Sequence, residues 1–280
     1  MKKSILFFLL SIFFFNCSKT EEPEVIYEGD IIFNTQQQID DFGKVGYTKV
    51  VGYVVIGDEN GNPTSSIESI EGLNTLTSVG GLNITGNTVL SDLSPLSNLK
   101  FIDEGLAIIS NTALSNINSL NKLTHIGFLW IYDNTQLTNI DGLENVNGNL
   151  KFLRIEENES LESIDGLKNI STISDLNNDS SFAARLSVKY NKKLKNLDGL
   201  SNLNSVGGYL EIYGNYSITN LNGLKNLSSV KLLYVSKNFN LTNLCGVQPL
   251  IENLPDLDML IEENAYNPTK QDFIDGNCSN

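Results

Sequence analysis

The stretch Leu82-Asn83-Ile84-Thr85-Gly86-Asn87-Thr88-Val89-Leu90, followed by Leu93, Leu96 and Leu99, decides how the whole chain is read, because it recurs. A Leu-x-Ile or Leu-x-Val triplet, with Asn three residues later, returns at 106–108, 129–131, 153–155, 186–188, 210–212 and 233–235. The asparagines are Asn87, Asn111, Asn134, Asn158, Asn191, Asn215 and Asn238, so the steps are 24, 23, 24, 33, 24 and 23 residues. A fixed period of this length marks stacked structural repeats.

Three residues after each Asn stand Leu90, Leu114, Leu137, Leu161, Leu194, Ile218 and Leu241, and six after stand Leu93, Ile117, Ile140, Ile164, Leu197, Leu221 and Leu244. Leu96, Leu120, Leu143, Leu167, Leu200, Leu224 and Val247 continue the spacing. One such unit cannot close a core, but stacked copies bury a continuous apolar column. The alternation in each triplet predicts a strand, and equivalent strands stack as a parallel sheet with rungs about 4.8 Å apart. The corner asparagines read as a structural ladder, their amides bonding backbone groups that the turn leaves unpaired. Asp141, Asp165 and Asp198 fall in Asp-Gly-Leu turns, where Gly is expected to supply a tight bend.

At these residues the chain resembles the leucine-rich family, and more closely the L domains of receptor ectodomains and the bacterial surface proteins that share them. Its next apolar residue falls three after the Asn rather than two, which favours the L-domain relatives. The resemblance covers about residues 29–280. It implies a mainly β fold, a right-handed parallel β-solenoid of about nine coils with short helical caps. Fold alone does not name a ligand, since such solenoids bind many different things.

Lys2 and Lys3 precede the apolar run Ile5–Phe15, a positive segment followed by a hydrophobic one of secretory-signal length and too short to span a bilayer. The run ends at Asn16-Cys17 and is followed by Ser18-Lys19-Thr20-Glu21-Glu22-Pro23, which resembles a bacterial lipoprotein signal of the lax Bacteroidetes type, with Phe14-Phe15-Asn16 where small residues are usual. The resemblance implies removal of residues 1–16, lipid on Cys17 and a place on the cell outer membrane, anchored by that lipid and exposed at the surface. Residues 17–28 then form a flexible tether, 29–248 the repeats and 249–280 a C-terminal cap.

The formal charge is −14, and removing residues 1–16 takes away two lysines and no acid, leaving 17 basic against 33 acidic residues. Nucleic acid and anionic lipid need a positive face and are poor partners for such a chain. Thr35-Gln36-Gln37-Gln38-Ile39-Asp40-Asp41-Phe42-Gly43 reads as a short capping helix, with Thr35 and Gln38 at capping-box spacing and Gly43 as its stop. Strands are expected before it at 29–34 and after it at Val54-Val55-Ile56. Pro249–Leu254 and Thr269–Gly276 read as helices of the C-terminal cap. Cys245 and Cys278 are the cysteines left after Cys17, and an exported chain favours their pairing.

The single 33-residue step carries nine extra residues, in Ser174–Ala183. Insertions in repeat arrays project from one face. Asp175, Asn177 and Asp179 match the start of a calcium loop, but Ser180 and Leu186 replace its required Gly and Glu, so a plain solvated loop is expected. No metal or other cofactor is expected. His125, the one histidine, sits at an outward position with no nucleophile motif beside it.

A polysaccharide-degrading β-helix, or an accessory glycan-binding subunit, is the alternative to a pure binding module, but the first needs grouped acids and a base. A binding module needs only a uniform face. The middle residues of the triplets, Asn83, Ala107, Trp130, Arg154, Ser187, Glu211 and Tyr234, should form one outward row, with Tyr132, Glu156, Lys189 and Tyr213 beside it. Aromatic and Arg side chains are what recognition surfaces concentrate. Trp130, Tyr132, Arg154, Glu156, Lys189, Glu211, Tyr213 and Tyr234 are therefore the expected ligand residues, with no catalytic residue, for an extracellular protein or glycan.

Overall fold

The structure is a computed structural model that describes residues 24–58, 60–174 and 184–280. The expected signal segment, Cys17, the first part of the tether and the insertion at 175–183 lie outside the described residues. In chain order the elements are β1 (Ile26–Tyr27), β2 (Ile31–Phe33), α1 (Gln36–Gly43), β3 (Lys49–Gly57), β4 (Ser78–Thr85), β5 (Phe101–Ile109), β6 (His125–Ile126), β7 (Leu129–Tyr132), β8 (Gly148–Leu150), β9 (Leu153–Glu156), β10 (Ile170–Ile173), β11 (Arg185–Lys189), β12 (Ser205–Val206), β13 (Tyr209–Tyr213), β14 (Leu232–Ser236), α2 (Gln248–Asn253), β15 (Asp258–Glu262) and α3 (Lys270–Ile274).

The fold is mainly β. Among the described residues twelve strands form one sheet along the path β1-β3-β4-β5-β7-β9-β11-β13-β14-β15, with β2 also on β3 and β6 on β5. Each pairing is parallel. A second parallel sheet runs β12-β10-β8. The strands along this path follow one another in chain order, an arrangement compatible with a solenoid. Among the described residues no helix is long and apolar enough to cross a membrane.

The apolar column forms as the spacing predicts. None of the Leu, Ile and Val residues three, six and nine places after the ladder asparagines is more than 2% exposed. Between strands the chain makes a one-turn 3-10 helix, such as Asp141–Leu143 or Asp198–Leu200, opened by a side chain two residues upstream. Asn139 Oδ1 accepts from the Asp141 N–H at 3.2 Å and Asn196 Oδ1 from the Asp198 N–H at 2.9 Å. The glycines in these turns do not have the bend-making role expected from sequence. Gly142, Gly166 and Gly199 lack a left-handed backbone, but a Cβ on each would lie 1.9, 2.1 and 1.9 Å from the carbonyl oxygens of Ile117, Ile140 and Ile164. They are glycine because the preceding turn passes so close.

The asparagines form the expected ladder and are all 0% exposed from Asn87 to Asn238. Asn134 is representative: its Nδ2 donates to the Ile108 carbonyl at 2.8 Å and to Asn158 Oδ1 at 3.1 Å, and its N–H donates to the same Asn158 oxygen at 3.1 Å. The ladder runs one rung beyond the sequence reading, to Asn264, whose Oδ1 accepts from the Asn238 N–H at 3.1 Å. Asn267 closes it, taking the Asn264 N–H at 2.9 Å and its Nδ2 at 3.1 Å. The residue before every rung is left-handed: Gly86, Ser110, Asp133, Glu157, Tyr190, Gly214, Lys237 and Glu263 have φ between 53° and 67°. Six of these are not glycine, and each costs about 1–2 kcal/mol that the ladder's hydrogen bonds offset.

At the N-terminal end, α1 has its capping box. Gln38 donates its N–H to Thr35 Oγ1 at 3.4 Å and accepts from the Thr35 N–H at 3.0 Å. Gly43 does not stop the helix by a left-handed turn; the cap is right-handed Lys44, and a Cβ on Gly43 would lie 2.6 Å from Gly72 Cα. Phe42 of α1 packs on Phe33, Tyr27 and Tyr47, with ring centroids 5.2, 5.9 and 4.7 Å away. Ile26–Tyr27, which composition places in the tether, instead pair with Lys49 and Val50 as part of the sheet.

At the C-terminal end, α2 and α3 form where helices are expected, and Thr269 and Asp272 make a capping box on α3. Between them lies β15, which sequence did not reveal, in register with β14 so that Leu260 partners Tyr234. Cys245 and Cys278 form a disulfide across 33 residues, and the Leu244 N–H donates to the Cys278 carbonyl at 2.9 Å. Closing a loop of this size contributes roughly 3–4 kcal/mol in the chain-entropy model.

Candidate functional site

The outward face of the long sheet gathers the residues that sequence singled out. Asn83, Ala107, Trp130, Arg154, Ser187, Glu211 and Tyr234 are successive register partners, one per strand from β4 to β14. Tyr132, Glu156, Lys189 and Tyr213 make the neighbouring row in the same register. The two rows are not equally presented. Ala107 is 4% and Ser187 0% exposed, so neither offers a surface, whereas Trp130, Tyr132, Arg154, Lys189, Tyr213 and Tyr234 are half-buried with part of each side chain open.

The charged groups at the centre hold one another. Arg154 donates from Nη2 to Glu156 Oε2 at 2.8 Å and from Nε to Oε1 at 3.3 Å, and Ser187 Oγ donates to Oε1 at 2.6 Å. Glu156 is 6% exposed. Burial raises its carboxyl, but the Arg154 and Ser187 hydrogen bonds and the charges of Arg154 and Lys189 together hold it below its ordinary value. Glu211 is paired by Arg185 and by Lys189, the latter at 2.8 Å. The two acids therefore act as braces that aim the cations, and offer no free carboxylate. Arg154 in turn lies over the Trp130 ring, its Cζ 4.7 Å from the centroid, a cation–π contact.

Aromatic groups flank the ion pairs on both sides. Toward β5 stand Trp130 and Tyr132, with ring centroids 6.3 Å apart. Toward β14, Tyr213 and Tyr234 stack at 5.9 Å with planes 23° apart, and Tyr190 meets Tyr213 edge-on at 5.1 Å. Lys237 Nζ sits 5.3 Å from the Tyr213 centroid, and its hydrogen bond to the Tyr213 hydroxyl lowers that phenol's pKa. Just round the corner Tyr216 and Phe239, 37% and 57% exposed, stack at 5.3 Å.

Sequence reading missed a third outward row, two residues before the middle one. It holds Gly81, Gly105, Phe128, Phe152, Arg185 and Tyr209. Phe128 and Phe152 stack at 4.5 Å, and a Cβ on Gly105 would fall 2.4 Å from the Phe128 ring, so small residues there make room for aromatic neighbours. Counting back two places from each triplet would have found this row. Tyr190, Tyr216 and Phe239 carried no such signal, because they lie at the left-handed corner and beyond it.

One end of the face is closed. Thr85 Oγ1 donates to the Asp58 carbonyl at 2.5 Å, and Gly61 lies against Ile109, so residues 60–64 cover the start of the second row. Asp58 orders this loop by accepting from the Asn60 N–H at 2.7 Å. Two shallow hollows, one lined by Lys100, Phe101 and Lys122 and the other by Lys231, Pro255 and Asp256, share no residue with the face. His125 is exposed on β6 beside Phe101. Among the described residues no group of three or more His, Cys, Asp or Glu is placed to hold a metal ion. No protein-family model matches the chain, and no curated protein matches it.

Proposed function

We propose that this chain is a binding or adhesion module of the cell surface: a right-handed, leucine-rich and L-domain-like solenoid of about nine coils, held to the outer membrane by lipid on Cys17. Its outward sheet face takes an extracellular protein or glycan. The observation that carries the reading is the row Trp130–Arg154–Ser187–Glu211–Tyr234, in which ion pairs spend themselves on fixing an Arg and a Trp while aromatic rings stay partly open. Groups braced in this way make a preorganised surface, and Trp, Tyr and Arg are the residues on which binding energy concentrates.

A polysaccharide-cleaving enzyme finds less support. A general acid needs a raised carboxyl pKa, and Glu156 is held low by Arg154 and Ser187 despite its burial. Glu211 is engaged by two cations.

Binding is tested by pull-down and glycan array with the mature protein and with a Trp130→Ala, Tyr213→Ala double variant. Truncating both rings should weaken capture about 100-fold, at roughly 1–2 kcal/mol for each. Equal capture by variant and parent removes the face from the function. For the anchor, the full chain should incorporate a fatty-acid analogue and sediment with membranes, and Cys17→Ala should do neither; a variant that still sediments sinks the lipid assignment.

A further inference from the structure

Resting on the reading of this face as a binding surface, we infer that its ligand is a neutral glycan chain, recognised by ring stacking and hydroxyl hydrogen bonds. Charge is the first ground. Arg154, Arg185 and Lys189 each hold a carboxylate of Glu156 or Glu211, so an anionic ligand would have to break these pairs on a chain of formal charge −14. A cationic ligand finds both carboxylates covered, Glu156 being 6% exposed. The face is polar but closed to exchange of charge.

Its hydrogen-bonding groups are two-sided. Of the five buried polar atoms without a partner among the described residues, Asn83 Oδ1, Trp130 Nε1, Arg185 Nε and Ser236 Oγ belong to the three outward rows, beneath the surface rather than open on it. Two of these groups donate, one accepts and the hydroxyl does both. Asn83 and Trp130 are half-buried residues of the same row, two rungs apart with Ala107 between them. The Tyr234 hydroxyl adds a group that both donates and accepts, whereas those of Tyr132 and Tyr213 are engaged by Glu157 and by Lys237 and Tyr190. A sugar hydroxyl is the matching partner, since it donates and accepts at once.

Shape excludes the other linear ligand. From Trp130 to Tyr234 there are four rung steps, about 19 Å at 4.8 Å each, in a band only three side chains wide. That suits a chain better than a globular partner, which needs about 800 Å² on each side. An extended peptide binds sheets by pairing its backbone with an open strand edge. Here the band is a sheet face, and strands β7, β9, β11 and β13 have neighbours on both sides, so a peptide's amides would lie against it unpaired. Pyranose rings instead present C–H faces to flat aromatic groups such as the Tyr213–Tyr234 stack.

The test is retention of the full mature protein on insoluble cellulose, chitin and mannan, and on polygalacturonate beads, at low and high salt. Retention on at least one neutral polysaccharide is expected, unchanged by salt because no charge is exchanged. Tyr213→Ala with Tyr234→Ala should weaken it about 100-fold, tenfold for each ring, while the double variant still unfolds cooperatively. Retention on polygalacturonate alone, or elution by salt, overturns the neutral-glycan assignment. So does binding of a purified protein that the double variant loses, although that result leaves the binding reading standing. If neither polysaccharide nor protein binding responds to the double variant, both readings fall.

Discussion

The inner and outer faces of the long sheet are built from alternate residues of the same strands, yet they handle polar groups in opposite ways. Inside, the asparagine ladder repeats one set of bonds from rung to rung, so that Asn134 and Asn158 each accept from the rung before them in the same manner. Outside, no two coils are alike: Arg154 turns back to Glu156 on its own strand, whereas Arg185 reaches across to Glu211 on the next. Among the described residues, four of the five buried polar side-chain atoms without a partner fall on the outer face, and the fifth, Asn87 Oδ1, is where the ladder begins. Repetition secures the scaffold, and the places where repetition lapses are those free to specialise.

The sharpest way to break this contrast is to remove one rung. Asn158→Ala would take away the acceptor of the Asn134 N–H and the side-chain donor to the Ile131 and Glu156 carbonyls in a fully buried site. At about 1–3 kcal/mol for each buried group left unpaired, the loss should reach roughly 4 kcal/mol or more in chemical denaturation. A loss below ~1 kcal/mol would mean that the ladder decorates the fold rather than holding it.

Next in size is the pair Ile131→Ala and Trp130→Ala, adjacent residues on opposite faces. The first opens a cavity in a 0% exposed site and should cost roughly 2–5 kcal/mol. The second forfeits the contact with Arg154 and some half-buried surface, about 1 kcal/mol. Equal losses in thermal unfolding would show that the Trp130 ring is part of the core.

The smallest effect is electrostatic. Glu156 has a folded pKa held below its ordinary value of 4.5, so it contributes stability above the ordinary carboxylate range that disappears as pH falls through the folded value. The parent should therefore exceed Glu156→Gln in stability at neutral pH and converge with it as pH falls through the folded value. A gap independent of pH would assign the brace to shape rather than charge.

Much of this architecture was legible in the sequence because stacked coils repeat their requirements at a constant interval. The triplets from Leu82 to Val235, the ladder asparagines and the inward leucines all fall where the period puts them. β15 escaped notice because its rung, Asn264, stands 26 residues after Asn238 and has Asn267 instead of an apolar residue three places on. The turn glycines were misread for a different reason: spacing gives the position of a glycine but not whether the backbone bends there or a neighbour passes too close for a Cβ. For the site, the period placed Trp130, Arg154 and Tyr234 in one row, but could not say that Glu156 and Glu211 would be consumed as braces. Ion pairing depends on side-chain reach across strands, which no repeat pattern encodes. The row of Phe128 and Phe152 was hidden by Gly81 and Gly105, where the pattern has no side chain to count.

Closure of the ladder on Asn267 bears on whether copies of this molecule can join. A column of identical rungs is a one-dimensional crystal, and an open last layer would template the next, as in any filament grown head to tail. Here the donors of Asn264 are turned onto a residue three places along the same chain. The final strand also places Asp258 and Glu262 at its rim, while the opposite end carries Glu24, Glu28 and Asp30. Like charges would meet in any end-to-end encounter. The last rung's donors are thus spent within the chain, at an end of the described sheet that carries acidic side chains as the other end does.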